Sequence, residues 1–79
     1  MTPEQCRGAR AMLGLSQDDL VKASGISKRT IAGFELASGN PSERTIRAIR
    51  LALQEAGAEF IEENGGGVGV RLRKRSTTE

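Results

Sequence analysis

The stretch LSQDDLVKASGISKRTIAGFE, residues 15–35, holds two helix starts separated by one stop. Ser16 stands before Gln17, Asp18 and Asp19, an N-cap hydroxyl followed by carboxylates that suit the positive end of a helix. Leu20, Val21 and Ala23 are expected on the inner face of that helix, and Gly25 ends it. Ser27 then caps a second short helix running to about Leu36. Ile31 lies three residues before Phe34 and four before Glu35, so these share one side, whereas Lys28, Arg29 and Gly33 fall on the opposite, outer side. Two short helices joined by a tight glycine turn form a helix-turn-helix arrangement. Gly33 is the anomaly, because a glycine costs a helix interior about 1 kcal/mol relative to alanine.

Flanking signals extend this pair to four helices. Thr2, Pro3 and Gln5 supply an N-cap, a first-turn proline and a third-position amide, the pattern of a capping box. Cys6, Ala9, Met12 and Leu13 follow at helical spacing, and Gly14 stops the first helix. Downstream, Asn40 and Pro41 break the chain and Ser42 caps a fourth helix, with Ile46, Ile49, Leu53 and Ala56 expected inward and Gly57 ending it. Residues 58–62 then read as a strand. Val68, Val70 and Leu72 alternate with Gly69, Arg71 and Arg73, and a glycine turn at 64–67 lies between. Two strands alone cannot bury a face in water, so the segment either finds a partner surface or is a frayed tail that happens to alternate. Residues 76–79 are expected to be disordered. The predicted fold is mainly α, four helices with a short C-terminal β-hairpin or strand segment. The expected division is a domain over 1–57, a strand segment over 58–73 and a basic tail over 74–79.

Composition narrows the function classes. Seventy-nine residues make one small domain with a marginal core. Cys6 is the single cysteine and there is no histidine, so neither an internal disulfide nor a His-based zinc or catalytic set can form. Self-association is then the expected staple. Cys6 falls on the apolar side of the first helix and reads as a small buried thiol rather than a redox sensor. No nucleophile-and-base pair is apparent, so an enzyme is not expected, nor a metal, a cofactor or a small-molecule ligand. No apolar run reaches the length of a membrane span and the first residues lack a signal-peptide pattern, so a cytoplasmic chain without a membrane partner is expected. The net charge of +2 is uninformative, but Arg71, Arg73, Lys74 and Arg75 crowd the C-terminal end. With Phe34 and Phe60 as the only aromatic residues, a base-stacking platform for single strands is not expected.

Residues 15–35 resemble the Cro/lambda-repressor-type helix-turn-helix family, also called the xenobiotic-response-element family. Its usual string is L-S-Q-x-x-L-A-x-x-x-G-V-S-x-x-T-I-x-x-x-E. Leu15, Ser16, Gln17, Leu20, Gly25, Ile26 (for Val), Ser27, Thr30, Ile31 and Glu35 stand at its positions. The resemblance extends from about Arg7 to Leu53. Val21 departs from the family's usual alanine, Ala37 stands where glycine often follows the glutamate, and Gly33 replaces a long polar side chain that touches bases in many members.

The resemblance implies a regulator that binds double-stranded DNA, with the helix over 27–36 in the major groove. Lys28 and Arg29, at its N-terminal end, are then the candidates for base contact, Arg29 foremost because a guanidinium can donate two hydrogen bonds to guanine. Gln17, Ser27, Thr30, Asn40, Ser42 and Arg44 are expected to hold the DNA backbone, with Glu43 a cap-region charge. Arg10 and Glu35 match positions that often pair in the family, tying the first helix to the third. Gly33 is groove-facing: either a contact is simply lost there, or a bare backbone lets the helix sit deeper or gives a thymine methyl room. In the second case Gly33→Ala is expected to stabilise the fold and weaken binding.

A single subunit offers few base contacts, so a homodimer on a palindromic site is expected, acting as a repressor. Phe60, Ile61, Val68, Val70 and Leu72 are its candidate interface. The basic run 71–75 either follows phosphates or only aids solubility. The alternative is an antitoxin-like interaction module whose C-terminal segment folds only on a partner protein.

Overall fold

The computed structural model describes residues 1–73. Its element order is α1 (Pro3–Leu13), α2 (Gln17–Ser24), α3 (Lys28–Glu35), α4 (Glu43–Ala56), β1 (Ala58–Ile61) and β2 (Gly69–Leu72). The basic residues Lys74 and Arg75 and the tail over 76–79 lie outside the described residues.

Each helix begins on a hydroxyl. Thr2, Ser16, Ser27 and Ser42 accept hydrogen bonds from the backbone N–H of Gln5, Asp19, Thr30 and Thr45 at 3.0, 3.0, 3.2 and 3.1 Å. In α1 and α2 the exchange is reciprocal: the side chains of Gln5 and Asp19 accept from the N–H of Thr2 and Ser16, both at 2.9 Å. A cap of this kind contributes about 1 kcal/mol, a large share of what a domain of this size can hold.

The core unites all four helices and the first strand: Cys6, Ala9, Leu20, Ile31, Phe34, Ile49, Ala52, Leu53 and Ala58 are buried. Leu13, Val21 and Ile46 are half-buried against it, and three expected inward positions are exposed. Met12 is 45% exposed, and Ala23 and Ala56 are exposed. In α1 the inner stripe runs through Cys6, Ala9 and Leu13, one position off Met12. In α2 the stripe passes from Leu20 to Ser24 instead of Ala23. The Ser24 hydroxyl donates to the Leu20 carbonyl at 2.7 Å and accepts from the Ile26 N–H at 3.1 Å, a polar bridge into the turn. In α4, Ala52 is buried beside Ile49, whereas Ala56 occupies the last turn before Gly57 with no layer over it.

The strands pair antiparallel, Ala58 with Leu72, Glu59 with Arg71, Phe60 with Val70 and Ile61 with Gly69. Both are shorter than expected: β1 ends at Ile61, and Val68, 45% exposed, belongs to the connecting loop. That loop closes on itself, the Glu63 carboxylate accepting from the N–H of Gly65 at 2.9 Å and of Gly67 at 3.2 Å. The surface that a lone hairpin requires is supplied by the chain itself. Gln5 on α1 donates through Nε2 to the carbonyls of Ile61 at 3.2 Å and Gly69 at 2.8 Å. Val70 rests over Gly8, where an added Cβ would come within 3.3 Å of its Cγ1. Phe60 and Val70 thereby pack against the helical core, and the Arg50 guanidinium of α4 lies 5.2 Å from the Phe60 ring centre.

Candidate nucleic-acid interface

Burial of Ile31 and Phe34 fixes how α3 is turned, and the rest of its surface follows. Gly25, at φ 75°, makes the reversal out of α2, and Ser27 in extended conformation starts α3. The exposed first turn presents Lys28 and Arg29. They differ in their surroundings. Lys28 Nζ sits 3.2 Å from Asp18 Oδ1 in the first turn of α2, whereas Arg29 has no ion-pair partner among the described residues. The Lys28–Asp18 pair is solvent-exposed on both sides, so it contributes about 0–1 kcal/mol and yields easily to a phosphate. Asp18 is a neighbour that sequence reading treated only as a helix-start charge.

Between α3 and the loop that follows it runs an open groove of about 540 Å³, lined by Arg29, Thr30, Gly33, Leu36 and Asn40 among others. Its floor explains the glycine. The Ser38 N–H donates to the Gly33 carbonyl at 2.9 Å and the Ala37 N–H to the Phe34 carbonyl at 3.0 Å, the two bonds that close a Schellman turn. The returning chain brings the Ser38 carbonyl so near that a Cβ on Gly33 would lie 3.0 Å from its oxygen. Gly33 is therefore a point of close backbone approach, and the stabilisation by alanine that helix propensity suggests is opposed by a carbonyl held in place by its own turn.

The other end of α3 is anchored by a buried carboxylate. Glu35 is 2% exposed and accepts a two-pronged contact from Arg10, Nε to Oε2 at 2.7 Å and Nη2 to Oε1 at 2.8 Å. Gln17 Nε2 donates to Oε1 at 3.0 Å and Cys6 Sγ to Oε2 at 3.2 Å, while Arg7 Nη1 donates to the Glu35 backbone carbonyl. Arg10 also donates through Nη1 to the Leu15 carbonyl at 3.0 Å. The Glu35 carboxylate thus ties the end of α3 to α1 and the start of α2, and its partner Arg10 adds the α1–α2 turn. Burial by itself pushes the Glu35 pKa up, but the donors from Arg10, Gln17 and Cys6 outweigh it and the carboxyl stays below its ordinary value. The Cys6 thiol is pushed up to about 12, chiefly by burial and then by the same carboxylate, so it is an inert donor there.

The structure distributes the remaining sequence-predicted residues unevenly. Arg29, Thr30, Gly33 and Asn40 share the groove. The hydroxyl of Ser27 donates to Thr30 Oγ1, and that of Ser42 to Thr45 Oγ1, both at 3.0 Å, while each serine oxygen also caps its helix. Arg44 is exposed in the first turn of α4. Gln17, expected on a phosphate, is half-buried with its amide on Glu35. Of the expected interface residues, Phe60 and Val70 face the chain's own core, whereas Val68 and Leu72 are exposed at 45% and 48%. Sequence reading missed Arg7 on the Glu35 carbonyl and Gln5 on the hairpin, and no local pattern signals either contact.

Among the described residues no cluster of His, Cys, Asp and Glu could hold a metal ion, and no helix is long and apolar enough to cross a membrane. A comparison with curated proteins found no match. A family model described as Helix-turn-helix matches residues 7–60, from the α1 residues that grip Glu35 to the first strand. The α2–turn–α3 unit, the latch that holds it to α1 and this match agree: the chain belongs to the Cro/C1-type helix-turn-helix family of DNA-binding transcriptional regulators.

Proposed function

We propose that the protein acts as a homodimer on a palindromic operator, with α3 in the major groove of each half-site, and represses transcription by occupying the DNA it reads. The observation that carries this reading is the first turn of α3, where Arg29 is exposed, unpaired among the described residues and part of the lining of the α3 groove. A guanidinium there can donate to both O6 and N7 of one guanine. Lys28, exchanging Asp18 for DNA, adds a second cation. Thr30 and Asn40 across the groove, with Ser27, Ser42, Arg44 and the free capacity of Gln17, hold the sugar-phosphate backbone and fix register without reading sequence.

Twofold pairing through the hairpin supplies the second half-site. Phe60 and Val70 brace that hairpin from within, so the contact between copies rests on Ile61, Val68 and Leu72 and on the open strand edges. Because residues 58–72 fold on α1 within a single chain, the regulator reading is favoured over one in which this segment orders only on a partner protein.

Selection of bound duplexes from a random pool tests the proposal. The expected result is a palindromic consensus with a guanine in each half. Arg29→Ala is expected to relax preference at that guanine and weaken binding by about 1–3 kcal/mol. Recovery of no enriched sequence, or an enriched one without twofold symmetry, would refute it.

A further inference from the structure

Beyond Thr30, α3 offers no free polar side chain: Ile31 and Phe34 are core and Glu35 is enclosed by Arg10, Gln17 and Cys6. On its outer side Ala32, Gly33 and Leu36 follow Arg29 at three, four and seven residues, one continuous stripe. Leu36 is 75% exposed, the most exposed of the large apolar side chains among the described residues, and it lines the same groove as Arg29, Gly33 and Asn40. A leucine left in water at this point is the end of an apolar strip that begins where the hydrogen-bonding residues stop.

The edges of base pairs in the major groove present one apolar group, the C5-methyl of thymine. We propose that α3 reads each half-site with one polar and one apolar contact, Arg29 on guanine and the Gly33–Leu36 strip on a thymine methyl. At Gly33 the strip is bare backbone, with the Ser38 carbonyl closing the loop side of it. The inference rests on the major-groove reading of α3 and adds what that reading lacks, the residue that selects thymine. A helix rise of about 1.5 Å per residue sets Gly33 roughly 6 Å and Leu36 roughly 10 Å beyond Arg29. With bases about 3.4 Å apart, the thymine falls two to three steps from the guanine when α3 follows the groove.

Deoxyuridine differs from thymidine only by that methyl, which makes the test direct. In the selected operator each thymine is replaced singly by deoxyuridine and Kd is measured by fluorescence anisotropy. One position, two or three steps from the guanine, is expected to lose about threefold to fivefold in affinity, the effect of one buried methyl. Leu36→Ala, a change at an exposed site checked by its melting curve, is expected to weaken binding to the thymine operator and abolish the difference between thymine and deoxyuridine. A deoxyuridine-insensitive operator, a consensus without thymine in that window, or a Leu36→Ala protein that keeps the full ratio would each overturn the apolar contact and leave the major-groove reading intact. A pool with no enriched sequence would overturn both.

Discussion

Ala37→Gly is expected to stabilise this protein, and the size of the gain can be worked from two turns of the same kind. In α1 the bonds from the Gly14 N–H to the Ala11 carbonyl and from the Leu15 N–H to the Arg10 carbonyl, at 3.2 and 2.9 Å, form a Schellman turn with Gly14 at φ 70°. In α3 the equivalent bonds, at 3.0 and 2.9 Å, place Ala37 at φ 57°, the one non-glycine residue with positive φ among those described. A left-handed conformation costs a residue with a Cβ about 1–2 kcal/mol. Removing that Cβ relieves the strain but frees the unfolded chain, which offsets roughly 0.4–1 kcal/mol. The net expectation is a gain of about 0.5–1 kcal/mol, or a rise in Tm of about 2–8 °C for a domain of this size. Gly14→Ala is the mirror experiment and is expected to lose a similar amount. Urea unfolding followed by circular dichroism measures both. An Ala37→Gly protein that is no more stable than its parent, beside a Gly14→Ala protein that is weakened, would refute the reasoning, because identical turns would then respond to different causes.

Two further substitutions probe the site. Glu35→Gln leaves Arg10 beside a neutral group in a buried setting and is expected to cost about 3–5 kcal/mol, measured by the same unfolding series; an unchanged midpoint would show that the pair is not buried in solution. Because the folded Glu35 pKa lies below its ordinary value, its stabilisation is complete above the unfolded pKa near 4.3 and is lost as pH falls through the folded value; the parent should therefore weaken in acid more steeply than the Glu35→Gln protein. Gly33→Ala should fail to deliver the roughly 1 kcal/mol that helix propensity alone predicts, and a Tm several degrees above the parent would mean that the Ser38 carbonyl gives way freely.

The helices were legible because their boundary signals are local. A serine or threonine and the N–H three residues on lie within one turn, so Thr2, Ser16, Ser27 and Ser42 could be assigned without knowing what packs where. The inner faces were less legible. Ala23 and Ser24 are alternatives that periodicity barely separates, and the choice falls to a hydroxyl that satisfies the Leu20 carbonyl and the Ile26 N–H together. Gly33 looked like a question about the outer surface because its neighbour, the Ser38 carbonyl, reaches it only through the path of the loop. Contacts between distant residues were invisible to spacing. Arg10 and Glu35 were paired by family resemblance rather than by pattern, and nothing near Gln5 announces bonds to carbonyls 56 and 64 residues away.

The place of α1 carries a thermodynamic consequence. Through Gln5 and Gly8 this helix of eleven residues holds the hairpin, and through Cys6, Arg7 and Arg10 it holds the end of α3. The segment that a second copy would grip and the helix that DNA would grip are therefore fastened to the same rod. A ligand that altered the seating of the hairpin on α1 would bear on α3 through the same helix, and linkage would then require that DNA exert the same bias in return. Were copies to pair through the hairpin while α3 holds DNA, the two events would be coupled through α1, which is in contact with both.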